Sequence, residues 1–240
     1  MKKHIVCFGD SNTHGYCADP SDCADGGDRF NEDERWTCLL QKALGGDYLV
    51  IEEGLSGRTT VFPDPLQESM SGLDAIYSCL MSHEPVDLLI IMLGTNDAKE
   101  RFDANAACIG FGMERLVAKA KTVEAWRGGK PNILVVCPPH IGSGILDHPF
   151  IATMGRDCLE KTRELAPLYK DLAERQGCAF LDAEGIGEFN RLDCMHLTRR
   201  GHRHRFGSGL GGARDAGTVW CQQLYAQLFA QLSEGGENDG

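Results

Sequence analysis

The sequence predicts an α/β domain, a three-layer α/β/α sandwich built around a five-stranded parallel sheet. Three observations carry this. Five short apolar runs rich in Val, Ile and Leu occur at HIVCF (4–8), YLVI (48–51), LLIIML (88–93), ILVVC (133–137) and AFL (179–181). Longer stretches with helical spacing separate or follow them, at 34–44, 70–82, 104–121, 156–176 and 218–232. The runs are continuously apolar rather than alternating, which suits strands covered on both faces. Strands alternating with helices imply βαβ units with right-handed crossovers. Periodicity leaves the strand order open.

The elements follow in chain order. The first run is broken at Gly9-Asp10, too early for the apolar core of a signal peptide, so it is expected to be a strand. Residues 17–33 (CADPSDCADGGDRFNED) are acidic and rich in Gly and Asp, and predict a long loop that is either a lid or an oligomer contact. The next three strand–helix repeats are regular. Residues 201–217 (GHRHRFGSGLGGARDAG) break the pattern, because each glycine weakens a helix interior by about 1 kcal/mol relative to alanine. The last helix is therefore expected to start near Ala216, and residues 234–240 to fray. At 240 residues the chain is expected to form one domain, 1–240.

Composition excludes several functions. With 24 Lys+Arg against 35 Asp+Glu, the formal net charge is -11, which disfavours phosphate-backbone binding and attraction to anionic lipid. No apolar run approaches the length of a membrane span, so neither nucleic acid nor membrane is an expected partner. The 11 cysteines include no CxxC pair, and several lie inside apolar runs, which predicts free thiols in a reducing, cytoplasmic compartment. Cys194, His196, His202 and His204 lack zinc-type spacing, so neither metal nor cofactor is expected.

Ligands of open parallel sheets bind beyond the carboxyl ends of the strands. Those ends carry Gly9-Asp10-Ser11-Asn12, Glu53-Gly54-Leu55-Ser56, Gly94-Thr95-Asn96-Asp97 and Pro138-Pro139-His140, with Asp193-Cys194-Met195-His196 past the fifth. Any one of these could be only a turn or a helix cap. Together they offer a serine, a histidine to take its proton, an aspartate to orient the histidine, and glycine and asparagine donors for an oxyanion. No G-x-S-x-G elbow competes.

These four ordered blocks resemble the SGNH (GDSL-type) hydrolase family, with Asn12 where the family has leucine. GDSNTHG, ERWT, VIEEGLSGRTT, LLIIMLGTND and the prolines after the fourth strand are similar to its bacterial arylesterase branch. The resemblance implies a flavodoxin-like fold and a serine esterase with Ser11, His196 and Asp193 as its triad. It assigns the oxyanion hole to Ser11 N–H, Gly54 N–H and the Asn96 amide. Short-chain aryl or alkyl esters would be its small-molecule substrates. A carbohydrate O-acetyl esterase or acyltransferase with the same triad is one alternative, and a catalytically silent binding module is another. The branch also implies a homo-oligomer. Asn12, Trp36, Arg58, Thr59 and His140 are candidates for the substrate pocket. Trp36 either walls that pocket or anchors a helix, and His140 with loop 140–150 either shapes the entrance or is surface loop. Asp10 and Asp97 are expected to bond backbone near the site. The family usually continues after the histidine block with Pro-Glu-Gly-His; here Arg199-Arg200-Gly201-His202 follows, which leaves open how firmly His196 is held.

Overall fold

A computed structural model describes residues 1–184 and 188–203. Its elements run β1 (Lys3–Gly9), α1 (Ser11–His14), α2 (Trp36–Leu44), β2 (Tyr48–Gly54), α3 (Gly72–Ser82), β3 (Leu88–Met92), α4 (Ala106–Lys121), β4 (Ile133–Cys137), α5 (Ile151–Met154), α6 (Cys158–Arg163), α7 (Leu165–Gln176), β5 (Ala179–Asp182) and α8 (Arg199–Arg203), with short 3-10 turns between them. All five strands are parallel, in the order β2-β1-β3-β4-β5. The chain winds outward from β1 in both directions, so the carboxyl end of β1 lies at the switch point where ligands of such sheets collect.

The central strands are apolar over Ile5–Phe8 of β1 and throughout β3 and β4 because each side feeds a different core, whereas the edge strand β2 is only partly buried and carries Glu52 and Glu53. Val6, Phe8, Leu89, Ile91 and Val135 pack against α3, α4 and α7 through Ile76, Leu80, Ile109, Met113, Leu116, Leu165 and Tyr169. Their alternating neighbours Ile5, Cys7, Leu88, Ile90, Leu134 and Val136 pack on the opposite side with Trp36, Leu40 and Leu44 of α2. Period-two alternation thus divides one hydrophobic run between two layers. Burying a Leu, Ile or Phe here contributes about 1.5–3 kcal/mol.

One expectation changes in detail. The helical stretch 156–176 is two helices, α6 and α7, meeting at Glu164. Pro167 is the cause: it has no N–H, and its ring would collide with the carbonyl of Arg163 in a continuous helix. The loop 17–33 packs partly on itself. Cys17, Cys23 and Phe30 form a small buried cluster inside it. The buried Glu34 carboxylate accepts from Ala24 N–H (3.2 Å) and Asn31 N–H (3.3 Å) and pairs with Arg199 Nε (2.5 Å). The expected last helix, 218–232, the irregular segment beyond Arg203 and the frayed tail lie outside the described residues. Among the described residues, no helix is long and apolar enough to cross a membrane.

Candidate active site

The site starts with the turn after β1. Asp10 caps α1, its Oδ1 accepting from Asn12 N–H at 3.0 Å. The four-residue helix folds back so tightly that a Cβ on Gly9 would lie 2.1 Å from Thr13 Oγ1. Ser11 is therefore the first residue of a helix standing on the sheet's carboxyl edge, 9% exposed. Parallel register brings its neighbours in: Gly9 is paired with Gly54 of β2 on one side and with Met92 of β3 on the other. Gly54 must be glycine, since a Cβ there would meet His14 N at 2.2 Å and Thr13 C at 2.5 Å. Past β3, Gly94 takes φ +125 against the Tyr169 hydroxyl, which donates to Leu93 O at 3.1 Å. The turn that follows sets Asn96, 8% exposed, with its amide on Arg58 O (3.2 Å) and Asp10 Oδ2 (3.4 Å).

The histidine arrives from the other end of the chain. His196 Nε2 lies 2.8 Å from Ser11 Oγ, and its Nδ1 lies 2.5 Å from Asp193 Oδ2. The Asp193–His196 turn is closed by a left-handed residue, Cys194 (φ +54). Asp193 Oδ1 accepts from Asn190 Nδ2 (2.9 Å), Met195 N–H (3.1 Å) and His196 N–H (3.1 Å). Burial alone would push the Asp193 carboxyl up, but these bonds and the His196 ring hold it below its ordinary range.

Ser11, Asp193 and His196 are thus one hydrogen-bonded line, and Gly54 and Asn96 are drawn to the same sheet edge. The five expected pocket residues make these contacts. Asn12 is a brace: its Oδ1 accepts from Leu197 N–H (2.9 Å) and its Nδ2 donates to Met195 O (3.3 Å), gripping the backbone on both sides of His196. Trp36 is the anchor of α2 in the core, and its Nε1 donates to Asn12 O at 3.1 Å. The Arg58 guanidinium is buried over the Phe8 ring (4.1 Å) and donates to Gly9 O (3.0 Å) and to Glu53 O. It supports the site through Nη1, which holds both carbonyls, while its buried Nε has no hydrogen-bond partner among the described residues. The buried Thr59 hydroxyl is turned away to Phe62 O at 2.6 Å. His140 is engaged by Glu184, with Nδ1 2.8 Å from Oε2.

Asn190, Tyr16 and the Glu34–Arg199 pair escaped the sequence reading. Tyr16 sets its ring edge to face with His196 at 4.6 Å, and Asn190 folds the turn around Asp193. Only the Asn-x-x-Asp spacing could have drawn attention to Asn190; the others depend on long-range contacts. The chain after His196 is docked as far as Arg203. Arg199 N–H donates to Asp22 Oδ2 (2.5 Å), and the buried His202 ring packs on Phe30. Burial, with smaller contributions from His196 and Arg35, lowers His202 to about 3, so it is a neutral packing group.

Asp10 and Asp97 bond backbone, as expected. Asp97 accepts from Thr60 N–H (2.9 Å) and from the Thr60 hydroxyl. Burial raises both carboxyls to about 6. A folded-state value above the ordinary 3.8 means that the native state binds the proton more tightly than the unfolded one. Stability relative to an Asp97→Asn variant is therefore expected to be greatest below about pH 4. It should decline by up to about 3 kcal/mol as pH rises to about 6, then level off. Urea unfolding of both proteins across this range checks it; a flat difference would mean that Asp97 titrates normally.

The comparisons agree with this architecture. Residues 7–204 match the GDSL-like Lipase/Acylhydrolase family. An aryl esterase of M. smegmatis is 37% identical, with a TM-score of 0.77 over 93% of this chain and 99% of its own. Est24, a carbohydrate acetylesterase from Sinorhizobium meliloti, is 32% identical, with a TM-score of 0.78 over 94% of this chain and 100% of its own. A putative arylesterase from Agrobacterium tumefaciens is 31% identical, with a TM-score of 0.75 over 95% and 99%. No curated protein matches. The fold defines an SGNH-type α/β hydrolase, and its chemistry is that of a carboxylic ester hydrolase. The chain belongs to the GDSL-like lipase/acylhydrolase family.

Proposed function

We propose that the protein is a serine esterase for short-chain acyl esters, aryl or alkyl acetates above all, acting through an acyl-Ser11 intermediate. The observation that carries this is the unbroken line Asp193 Oδ2 – His196 Nδ1, His196 Nε2 – Ser11 Oγ, at 2.5 and 2.8 Å. Ser11 Oγ attacks the ester carbonyl as its proton passes to His196 Nε2, and Asp193 stabilises the imidazolium. The carbonyl oxygen becomes an oxyanion facing Ser11 N–H, Gly54 N–H and the Asn96 amide. One Asn96 hydrogen stays on Arg58 O; the other, whose contact with Asp10 is long at 3.4 Å, turns to the oxyanion. Collapse breaks the bond to the alcohol oxygen, which takes the proton from His196. Water then attacks the acyl group, giving its proton to His196; collapse breaks the acyl–Ser11 Oγ bond, Oγ takes that proton back, and the acid leaves.

The short-acyl preference is supported by likeness to an aryl esterase and a carbohydrate acetylesterase. The inward folding of loop 17–33 onto its own cluster supports it too, since a long acyl chain needs a broad apolar cover. A fluorophosphonate should add once per chain, at Ser11, and p-nitrophenyl acetate should turn over much faster than the octanoate. Failure of both would sink the reading. Faster turnover of acetylated sugars than of aryl acetate would move the assignment to the carbohydrate esterases.

Asn12 acts here as a positioning residue. Asn12→Ala strands a buried N–H and C=O, at about 1–3 kcal/mol each. The expected result is a loss of about 2–4 kcal/mol in urea unfolding, with kcat down about tenfold and KM little changed. A variant with full kcat would show that the remaining contacts hold His196 alone.

A further inference from the structure

Behind the strand that carries Gly54 lies a second cluster that the hydrolytic machinery does not use. Cys79 and His83 are four residues apart on α3 and its C-terminal cap, so they share one helix face. That face meets Glu53, the residue before Gly54, across the edge of β2. His83 Nε2 lies 2.7 Å from Glu53 Oε1. One ligand atom from each of Glu53, Cys79 and His83 lies within 4.8 Å of the other two. Zinc ligands at about 2.0–2.3 Å in a tetrahedron stand about 3.4–3.7 Å apart, so small side-chain rotations close this triangle on an ion.

We propose that Glu53, Cys79 and His83 form a binding site for a thiophilic divalent cation of the zinc class, with water as fourth ligand. The donor set is the reason: sulfur, imidazole nitrogen and one carboxylate favour zinc over magnesium or calcium, which require all-oxygen shells. Access is provided by the Glu53 and His83 side chains, which are 30% and 27% exposed, while Cys79 forms the buried floor. Binding forms one sulfur–metal, one nitrogen–metal and one oxygen–metal bond. The thiol proton is released to solvent, and the hydrogen that His83 Nε2 shares with Glu53 Oε1 gives way to the metal, the bound ring carrying its one hydrogen on Nδ1 instead. Carboxylate and thiolate together neutralise the ion. Burial and the Glu53 carboxylate push the free Cys79 thiol up to about 12, so it is the ion that must displace its proton. The nearby Arg58 guanidinium, held over the Phe8 ring by Gly9 O and Glu53 O, favours the thiolate over the thiol.

His83 is also held from behind, its carbonyl 3.0 Å from His4 Nδ1 of β1, so an ion there would tie the end of α3 to the two strands whose ends carry Ser11 and Gly54. The sequence did not display the site, since Glu53 is far in sequence from the Cys-x-x-x-His pair and each looks ordinary alone.

The site stands or falls independently of the esterase reading, because its readout is spectroscopic. Chelator-treated protein is titrated with Co2+, followed by the near-ultraviolet thiolate-to-metal charge-transfer band, then back-titrated with Zn2+. One equivalent per chain, a band abolished in Cys79→Ser, affinity at least tenfold weaker in His83→Gln, and both unchanged in Cys108→Ser, an exposed thiol elsewhere, are the expected results. Zn2+ should also raise the Tm of wild type but not of the two site variants. His83→Gln alters a half-buried helix end, and its Tm without metal reports whether it folds. A band that survives Cys79→Ser, or wild type that binds no Co2+ at micromolar concentrations, overturns the proposal.

Discussion

Ser11→Ala is expected to lower kcat/KM for p-nitrophenyl acetate on the order of a million-fold while leaving the fold intact. The hydroxyl is the only group removed, and the variant keeps the backbone N–H at the helix start. Its partner, His196 Nε2, loses one hydrogen bond, a stability change of about 1 kcal/mol. The residual rate should remain about 10³–10⁴ above water, because oxyanion donors and binding survive. Activity should drop through kcat, and fluorophosphonate labelling should disappear with it. If the variant kept more than a few per cent of wild-type turnover with an unchanged unfolding curve, another nucleophile would be acting and the acyl-Ser11 mechanism would be wrong.

Asp193→Asn should cost about 10⁴-fold in kcat, the scale known for a chymotrypsin-type triad. The geometry here says why. Asp193 Oδ1 receives three donors, Asn190 Nδ2, Met195 N–H and His196 N–H, so an asparagine must keep its carbonyl oxygen there. Its NH2 is then forced to face His196 Nδ1, where the carboxylate oxygen stood at 2.5 Å. An N–H cannot face an N–H, so the ring takes the tautomer with hydrogen on Nε2 and points a donor, not a base, at Ser11. KM should change little. Asp193→Ala removes that lock but strands the three donors, so it should lose less activity and more stability than Asp193→Asn. Equal stability of the two variants, or activity of Asp193→Asn within tenfold of wild type, would show that tautomer control is not what Asp193 contributes.

Much of this was legible beforehand because the fold makes one region reactive. In an open parallel sheet the polar residues following each strand necessarily gather at one edge, so Ser11, Gly54 and Asn96 could be found by position. Asp193 and His196 were found by residue type and spacing. The roles of the expected pocket residues are harder to read for a related reason. Asn12, Arg58 and Thr59 do lie beside the site in sequence, but adjacency says nothing about which way a side chain turns. Most buried hydrogen-bonding groups find partners, and those taken here are backbone groups of Leu197, Met195, Gly9, Glu53 and Phe62.

The sequence by itself determined the five strands, the burial of the central ones on both faces, the single edge at which their polar ends gather and the chemical types assembled there, since periodicity and turn chemistry are local. Tertiary structure alone decided the strand order, the 2.8 Å contact between residues 11 and 196, the Asn190 fold around Asp193, and the docking of loop 17–33 through Glu34 and Arg199. These joins unite residues far apart in the chain, and their geometry depends on how the whole core packs.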